Sequence, residues 1–410
     1  MNTLITNTEE EPPKAVVTTF RVLTDKSPAP TEAYMILKRT LQFLELLGMV
    51  IGLEMSYSWK NNIRFGITKF LTVLCWSQFF YTQFVNIYQG NAFKSFEVFA
   101  IYGVGISTLV KIWCHGKYHI NVHAIHESSL KICQRNTGSR GDRLNQRVQN
   151  NFHFLKCVTL SAIVLIIIYL FYPVKSFLID GKLVPLVPVE FMFIDQSTLS
   201  GYIIASCIMT TAGIYGTILT TYMGLTFVLI IINYSLRVDL LEIDIEELND
   251  MWSDTSKSTA AYRRLFLRNI IRKCIDMREY VAEIKNIFAV KMFIFFAFSY
   301  LSQILCYYQI FVNNWIPGFA LAFGFFLEMN LYCMMGTKAA IENERSCFII
   351  TQSKWYTYDL KSQKLMLTLL CANMNSQELW IGPIAPLSVY TATQMIKGIY
   401  TYYTVMAEIM

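Results

Sequence analysis

Apolar residues in this chain gather in long runs separated by polar and basic stretches. Seven runs, 66–88, 95–115, 153–172, 199–233, 287–312, 316–338 and 387–408, are long enough for membrane-crossing helices. A helix rises about 1.5 Å per residue, so roughly 20 residues cross a hydrocarbon core of about 30 Å. The fourth run carries no charge from Gln196 to Leu236. As one helix it would reach roughly 52 Å and must tilt or project into water. Two spans there would need an uncapped reversal between Gly213 and Gly216, so one helix is expected. Leu41 to Trp59 is shorter and interrupted by Glu45 and Glu54, which predicts an amphipathic helix lying at the inner interface.

The stretches between runs have patterns of their own. Leu236 to Trp252 sets Leu240, Leu241, Leu248 and Trp252 among six carboxylates, an acidic amphipathic helix. Tyr262 to Asn286 sets six basic residues, Arg263 to Arg278, around Leu265, Ile270 and Ile284. Such a basic helix suits calmodulin or anionic lipid, but the simpler expectation is that the two extend spans four and five and pack together. His115, His119, His123 and His126 follow helical spacing beside Glu127. Two histidines at i and i+4 can bind zinc, yet no HExxH or clustered cysteine accompanies them, and no metal site is expected.

Composition fixes the class. The chain is 54% hydrophobic, 15% aromatic and only 16% charged, with mean hydropathy +0.38. Soluble domains carry about 25% charged residues, so this is read as an all-α integral membrane protein. The ten cysteines are scattered without a CxxC pair, and no extracellular disulfide framework is expected. Residues 1–30 lack a basic start followed by an apolar core, which argues against a signal peptide. Of the lysines and arginines between runs, 26 fall on the side of segments 1–65, 116–152, 234–286 and 339–386, against 3 on the other. Basic residues stay cytosolic, so the N-terminus is expected inside and the C-terminus outside. G-protein-coupled receptors have the reverse handedness, and their motifs are absent. No phosphate-binding loop, dinucleotide fingerprint, nucleophile elbow or nucleic-acid module occurs; neither enzyme activity, nor a cofactor, nor a nucleic-acid partner is expected.

Two constellations point to function. In the last run Gln394, Gly398, Thr401, Val405 and Glu408 recur at steps of four and three, one stripe of a helix flanked by Lys397. Polar and ionisable groups inside a span are costly unless they face protein or water, so they mark an ion or substrate path or a packed face. The expected outer halves of the other spans are aromatic, with a few hydroxyls: Phe99 and Tyr102, Tyr169, Tyr202, Ser206 and Met209, and Phe323. Such a lining suits a small apolar ligand, although aromatic residues also form ordinary interface belts.

The C-terminal third resembles a known family. Trp355-Tyr356 precedes Leu360 and the leucine-rich run 365–370, and the last span reads Lys397-Gly398-Ile399-Tyr400-Thr401-Tyr402-Tyr403-Thr404-Val405-Met406. This is similar to the insect odorant receptors, with Thr401 where they carry Ser, Tyr403 for Phe and Met406 for Leu. The likeness covers about residues 340–410; elsewhere only length, span count and orientation agree. It implies an odour-gated channel for monovalent and divalent cations in the plasma membrane of olfactory sensory neurons. It further implies a heterotetramer of tuning subunits and a shared co-receptor, this chain being a tuning subunit that binds a small hydrophobic volatile. Residues 1–65 would be cytosolic, 66–338 would hold six spans and the ligand pocket, 339–386 the cytosolic anchor, and 387–410 the pore helix. The constriction would fall on Val405 and Ile409, beside Glu408, where an uncharged residue is commoner. Subunit contacts would include Trp355, Tyr356, Leu365 and Leu369. A gustatory-type channel or a transporter is the alternative.

Overall fold

A computed structural model describes residues 32–54, 62–136, 138–179, 187, 189–253, 259–313, 316–374 and 378–409. The N-terminal segment to residue 31 and the end of the expected interfacial helix (55–59) lie outside the described residues. Within them the chain forms nine α-helices, a short 3₁₀ turn and one small hairpin.

α1, Glu32–Ile51, starts earlier and stops sooner than the pattern over Leu41 to Trp59 predicts. Its buried residues Ala33, Leu37, Leu41, Leu44, Gly48 and Ile51 fall at steps of three and four, so one face packs on α3, α4 and α5. The helix ends at Gly52, whose φ of +73° is left-handed and where an added Cβ would lie 2.2 Å from the amide nitrogen of Phe65. Glu54 is thereby outside the helix and accepts a hydrogen bond from Asn62.

α2 (Ile63–Tyr88) and α3 (Ala92–Arg135) form an antiparallel pair joined at Gly90. α4 (Ser139–Ile179), α5 (Leu199–Ser253), α6 (Ala260–Asn313) and α7 (Pro317–Thr351) complete the main bundle. The segment 189–192 runs beside α2, with Thr82 bonded to the backbone of Glu190 and Gln78 to Met192. This places the start of α5 at the Gly90 end. α5 is a single unbroken helix through Gly213 and Gly216, as the pattern predicts. Its 55 residues would reach roughly 80 Å, far more than a hydrocarbon core of about 30 Å needs. The acidic stretch after run four and the basic stretch before run five are likewise continuous with α5 and α6.

Among the described residues five helices are long and apolar enough to cross a membrane: α3, α4, α5, α6 and α7. α2 and α9 (Val389–Ile409) coincide with the first and last predicted runs but are not among these five; α2 buries Thr68, Gln78, Thr82, Gln83 and Asn86.

The densest packing lies away from the Gly90 end. Every residue from Tyr222 to Leu236 of α5 is buried. A charge network binds the neighbouring helices around it. Asp239 accepts from Arg147 Nε at 2.9 Å and from Arg345 at 2.7 Å, and Arg345 also reaches Glu242 at 2.5 Å and Glu342 at 3.1 Å. Arg140 pairs with Glu247 and Asp244. The acidic face of α5 therefore meets α4 and α7. The basic stretch of α6, expected to answer it, supplies Lys273 to Asp244 at 2.5 Å; charge complementarity alone does not choose among several basic partners.

Past α7, the turn Trp355–Thr357 and α8 (Leu360–Met374) lead to a hairpin pairing Trp380 with Pro386 and Ile381 with Ala385. Gly382, at φ +55°, turns that hairpin against the Phe293 ring. Ser388 then caps α9 through the amide of Thr391.

Candidate functional site: a cavity among the helices and an outward-facing helix stripe

A cavity of about 290 Å³ lies among α2, α3, α4, α5 and α7. Near the Gly90 end its wall is apolar and aromatic, from Cys75, Trp76 and Phe79 of α2, Ile101 and Val104 of α3, Met209 of α5 and Leu321 of α7. At the other end it is polar. Lys111 Nζ meets Glu328 Oε1 at 2.7 Å and donates to Thr220 at 2.9 Å, and the Tyr332 hydroxyl donates to Glu328 at 3.0 Å. Both charged side chains are almost wholly buried, so they are held by each other rather than by solvent.

Of the residues predicted to bind a ligand, Met209 lines this cavity. Tyr102 stands behind the wall, its ring 5.6 Å from Trp76 and 6.1 Å from Phe79. Tyr202 is buried and Ser206 half-buried on α5, outside the lining. Phe99 and Phe323 are 47% and 44% exposed and face outward. The side chain of Tyr169 is outside the described residues. The sequence reading missed Trp76 and Phe79, and Lys111 and Glu328. α2 gives a usable signal: Thr68, Thr72, Cys75, Trp76 and Phe79 share one helical face, polar at one end and aromatic at the other. Lys111 and Glu328 stand out as ionisable groups inside apolar runs.

The histidine row divides. His115 bonds the Glu54 carbonyl and the Tyr222 hydroxyl, each at 3.3 Å, and His126 meets Asn233 at 3.4 Å, while His123 is exposed. His115 and His126 are thus engaged by the segment after α1 and by α5, and although the His115 and His119 rings lie 5.7 Å apart, among the described residues no three metal-ligating side chains come together.

α9 has two distinct sides. Ala392, Ile399 and Tyr403 face the bundle, Tyr403 lying 4.7 Å from the Phe311 ring of α6. Gly398 abuts the Tyr300 hydroxyl, and Val389 donates to Thr337 of α7 at 2.9 Å. On the opposite side Gln394, Lys397, Thr401, Val405 and Glu408 are all exposed. Four of the five predicted stripe positions, Gln394, Thr401, Val405 and Glu408, are thus turned away from the chain's own bundle, whereas Gly398 is half-buried against Tyr300 of α6; the Ile409 side chain is outside the described residues. Tyr356 and Leu365 are exposed and Trp355 half-buried, whereas Leu369 is buried within the chain's own core. In the loop before α5, hydrogen bonds from the Ser197 hydroxyl and amide hold the Asp195 carboxyl below the usual carboxylate range.

A mainly helical membrane protein with a ligand-sized cavity among its helices fits the class of membrane receptors. The chain matches the 7tm Odorant receptor family over residues 93–400 and belongs to that family, a family of receptors and not of enzymes. Its fold is similar to that of the insect olfactory receptor OR5 from Machilis hrabei. The OR5 structure in complex with eugenol gives a TM-score of 0.71 over 91% of this chain and 100% of that one. A second OR5 structure gives 0.70 over 92% and 100%. Identity is 14% in both, so the likeness is one of fold.

Proposed function

We propose that this chain is the tuning subunit of an odorant-gated, non-selective cation channel, assembled with a co-receptor in the plasma membrane of olfactory sensory neurons. The observation that carries the reading is the α9 stripe. A membrane helix whose packed side is apolar and whose free side carries Gln394, Lys397, Thr401 and Glu408 beside Val405 suits a water path shared with other subunits, since lipid would not accept the amide and the charged groups. With the basic segments cytosolic, the C-terminal end of α9 is outside, Val405 and Ile409 form the narrow point, and a ring of Glu408 favours cations. The exposed Tyr356 and Leu365 offer subunit contacts.

The cavity is the receptor end of the device. OR5 binds eugenol in one of its structures; here a small hydrophobic volatile occupies the space between α2, α3, α5 and α7. It favours the open arrangement by binding that arrangement better. A tenfold shift requires about 1.4 kcal/mol, roughly two extra buried methylenes. The route to the pore runs through α6, which packs on α3 at Gly103, beside Ser302, and on α9 at Tyr300 and Phe311.

The test is current from cells expressing the chain with and without a co-receptor. Odour-evoked cation current that needs both chains, starts within milliseconds and persists without nucleotides is expected. Val405→Ala widens the narrow point and raises resting current. A resting conductance unchanged by that substitution would remove the gate from Val405, and odour responses abolished by blocking G-protein signalling would remove the channel reading.

A further inference from the structure

The cavity is graded along its length, and the grading runs the same way on four helices. From the Gly90 end inward, α2 passes from Phe79 to Thr72 and Thr68, and α3 from Ile101 to Ser107, Thr108 and Lys111. α5 passes from Met209 to Thr217 and Thr220, and α7 from Leu321 to Glu328. Four independent segments changing character in step is not what a uniformly apolar slot would show. Polar side chains inside a span persist where they serve a path or a ligand.

The polar end has unused capacity. Ser107 is 5% exposed and its hydroxyl finds no hydrogen-bond partner among the described residues. Thr72, Thr108 and Thr217 each donate to the carbonyl four residues earlier on their own helix, which leaves the hydroxyl lone pairs free. The local charge is also unbalanced. Behind Tyr332 lies Lys291, fully buried with its Nζ 4.7 Å from the Tyr332 ring centre and no hydrogen-bond partner among the described residues. Lys111 and Lys291 against Glu328 make the end net positive.

Building on the receptor reading, we propose that this cavity selects volatiles with an apolar body and one terminal oxygen function, a hydroxyl or carbonyl. The head seats between Ser107 and the Lys111–Glu328 pair, and the body lies against Trp76, Phe79 and Met209. A hydrocarbon of the same length leaves the polar end unsatisfied, and a protonated amine meets the excess positive charge. With the liquid volume of one water near 30 Å³, the cavity takes a molecule of about ten non-hydrogen atoms.

The test uses the purified full-length chain in detergent, with thermal stabilisation as the binding readout, and current from the chain with its co-receptor as the functional one. The probes are octane, 1-octanol, octanal and octylamine. Half-maximal stabilisation by the alcohol and aldehyde is expected at concentrations about tenfold or more below those of octane and octylamine. Removing one charge would strand the other, so both are replaced together. Lys111→Met with Glu328→Gln is expected to erase the alcohol preference while octane still binds. Ser107→Ala, which leaves the ion pair intact and so serves if the double variant does not fold, is expected to weaken octanol a few-fold and leave octane unchanged. Equal stabilisation of the wild-type chain by octane and octanol, or a preference unaltered in both variants, overturns the proposal. A graded stabilisation without any evoked current leaves it standing and overturns the channel reading instead.

Discussion

The two halves of α5 do different work. From Leu199 to Ile218 the helix buries only Gly201, Tyr202, Ala205 and Met209, and much of the rest faces the cavity. From Leu219 to Leu248 it is buried almost all round, and Asp239, Glu242, Asp244 and Glu247 tie it to α4, α6 and α7. The first half is a wall with space beside it; the second is the centre of a packed core. A ligand that shifts a population by a kilocalorie or two must act where little else holds the chain, and the structure puts the cavity in the sparsely packed half.

That contrast is open to direct attack, beginning with its strongest tie. Asp239→Ala strands Arg147 and Arg345 in a partly buried network. Both guanidinium groups keep about a third of their exposure, which softens the loss, but a cost of about 2–3 kcal/mol is expected. A clearly lowered unfolding temperature of the purified chain is the readout, and an unchanged one would dissolve the anchor. Next comes the junction of α7 with the segment that starts α9. A Cβ on Gly336 would sit 2.1 Å from the Leu387 carbonyl oxygen, backbone that cannot step aside cheaply. Gly336→Ala is expected to cost about 2 kcal/mol by overpacking. It should also displace α9, seen as lost surface expression of the complex.

How much of this is legible in the sequence follows the same division. The continuity of α5 is legible because no proline, charge or cap interrupts Gln196 to Leu236. The exposed positions of the α9 stripe are legible because their period is local to one helix; the packing of Gly398 is not, since it depends on Tyr300 of α6. The start of α1 is not, since its first turn is anchored by Asn145 of α4, which accepts from the Ala33 amide at 2.6 Å. Nor is the pairing of the acidic face with Arg147 and Arg345, which lie 92 and 106 residues away from Asp239 in the chain. The cavity is least legible. Phe79 lines it, while Phe80 and Phe84 on the same helix are 60% and 69% exposed. Lipid and an odorant are both apolar solvents, and an aromatic ring suits either, so residue type cannot separate a wall from a lipid-facing surface. Phe99 and Phe323, expected in the pocket, face outward for the same reason.

Met209→Ala sharpens the comparison from the other side. Met209 is buried and borders the cavity, so part of the lost volume joins space that already exists. The expected stability cost is about 1 kcal/mol, below the range for a fully enclosed methionine. The expected effect on ligand response is up to tenfold, with larger volatiles gaining on smaller ones. A dose–response series over chain length measures it. A Met209→Ala chain as damaged in stability as Asp239→Ala would mean that the two halves of α5 are equally load-sharing.

The smallest effect on the isolated chain is expected at Tyr356 and Leu365, 67% and 39% exposed beside and on α8. Surface substitutions without a burial or network role stay within about 0.5 kcal/mol, so Tyr356→Ala with Leu365→Ala should leave the unfolding temperature of the purified subunit unchanged. If these side chains are covered in the assembly, the same pair lowers co-purification with the co-receptor, because an exposed aromatic truncated at an interface loses binding energy that folding never used. Leu369, buried one helical turn from Leu365, supplies the control: Leu369→Ala should lower subunit stability by about 2 kcal/mol or more. Loss of co-purification from the surface pair with no loss of stability would separate contact between subunits from packing within one, on a single helix.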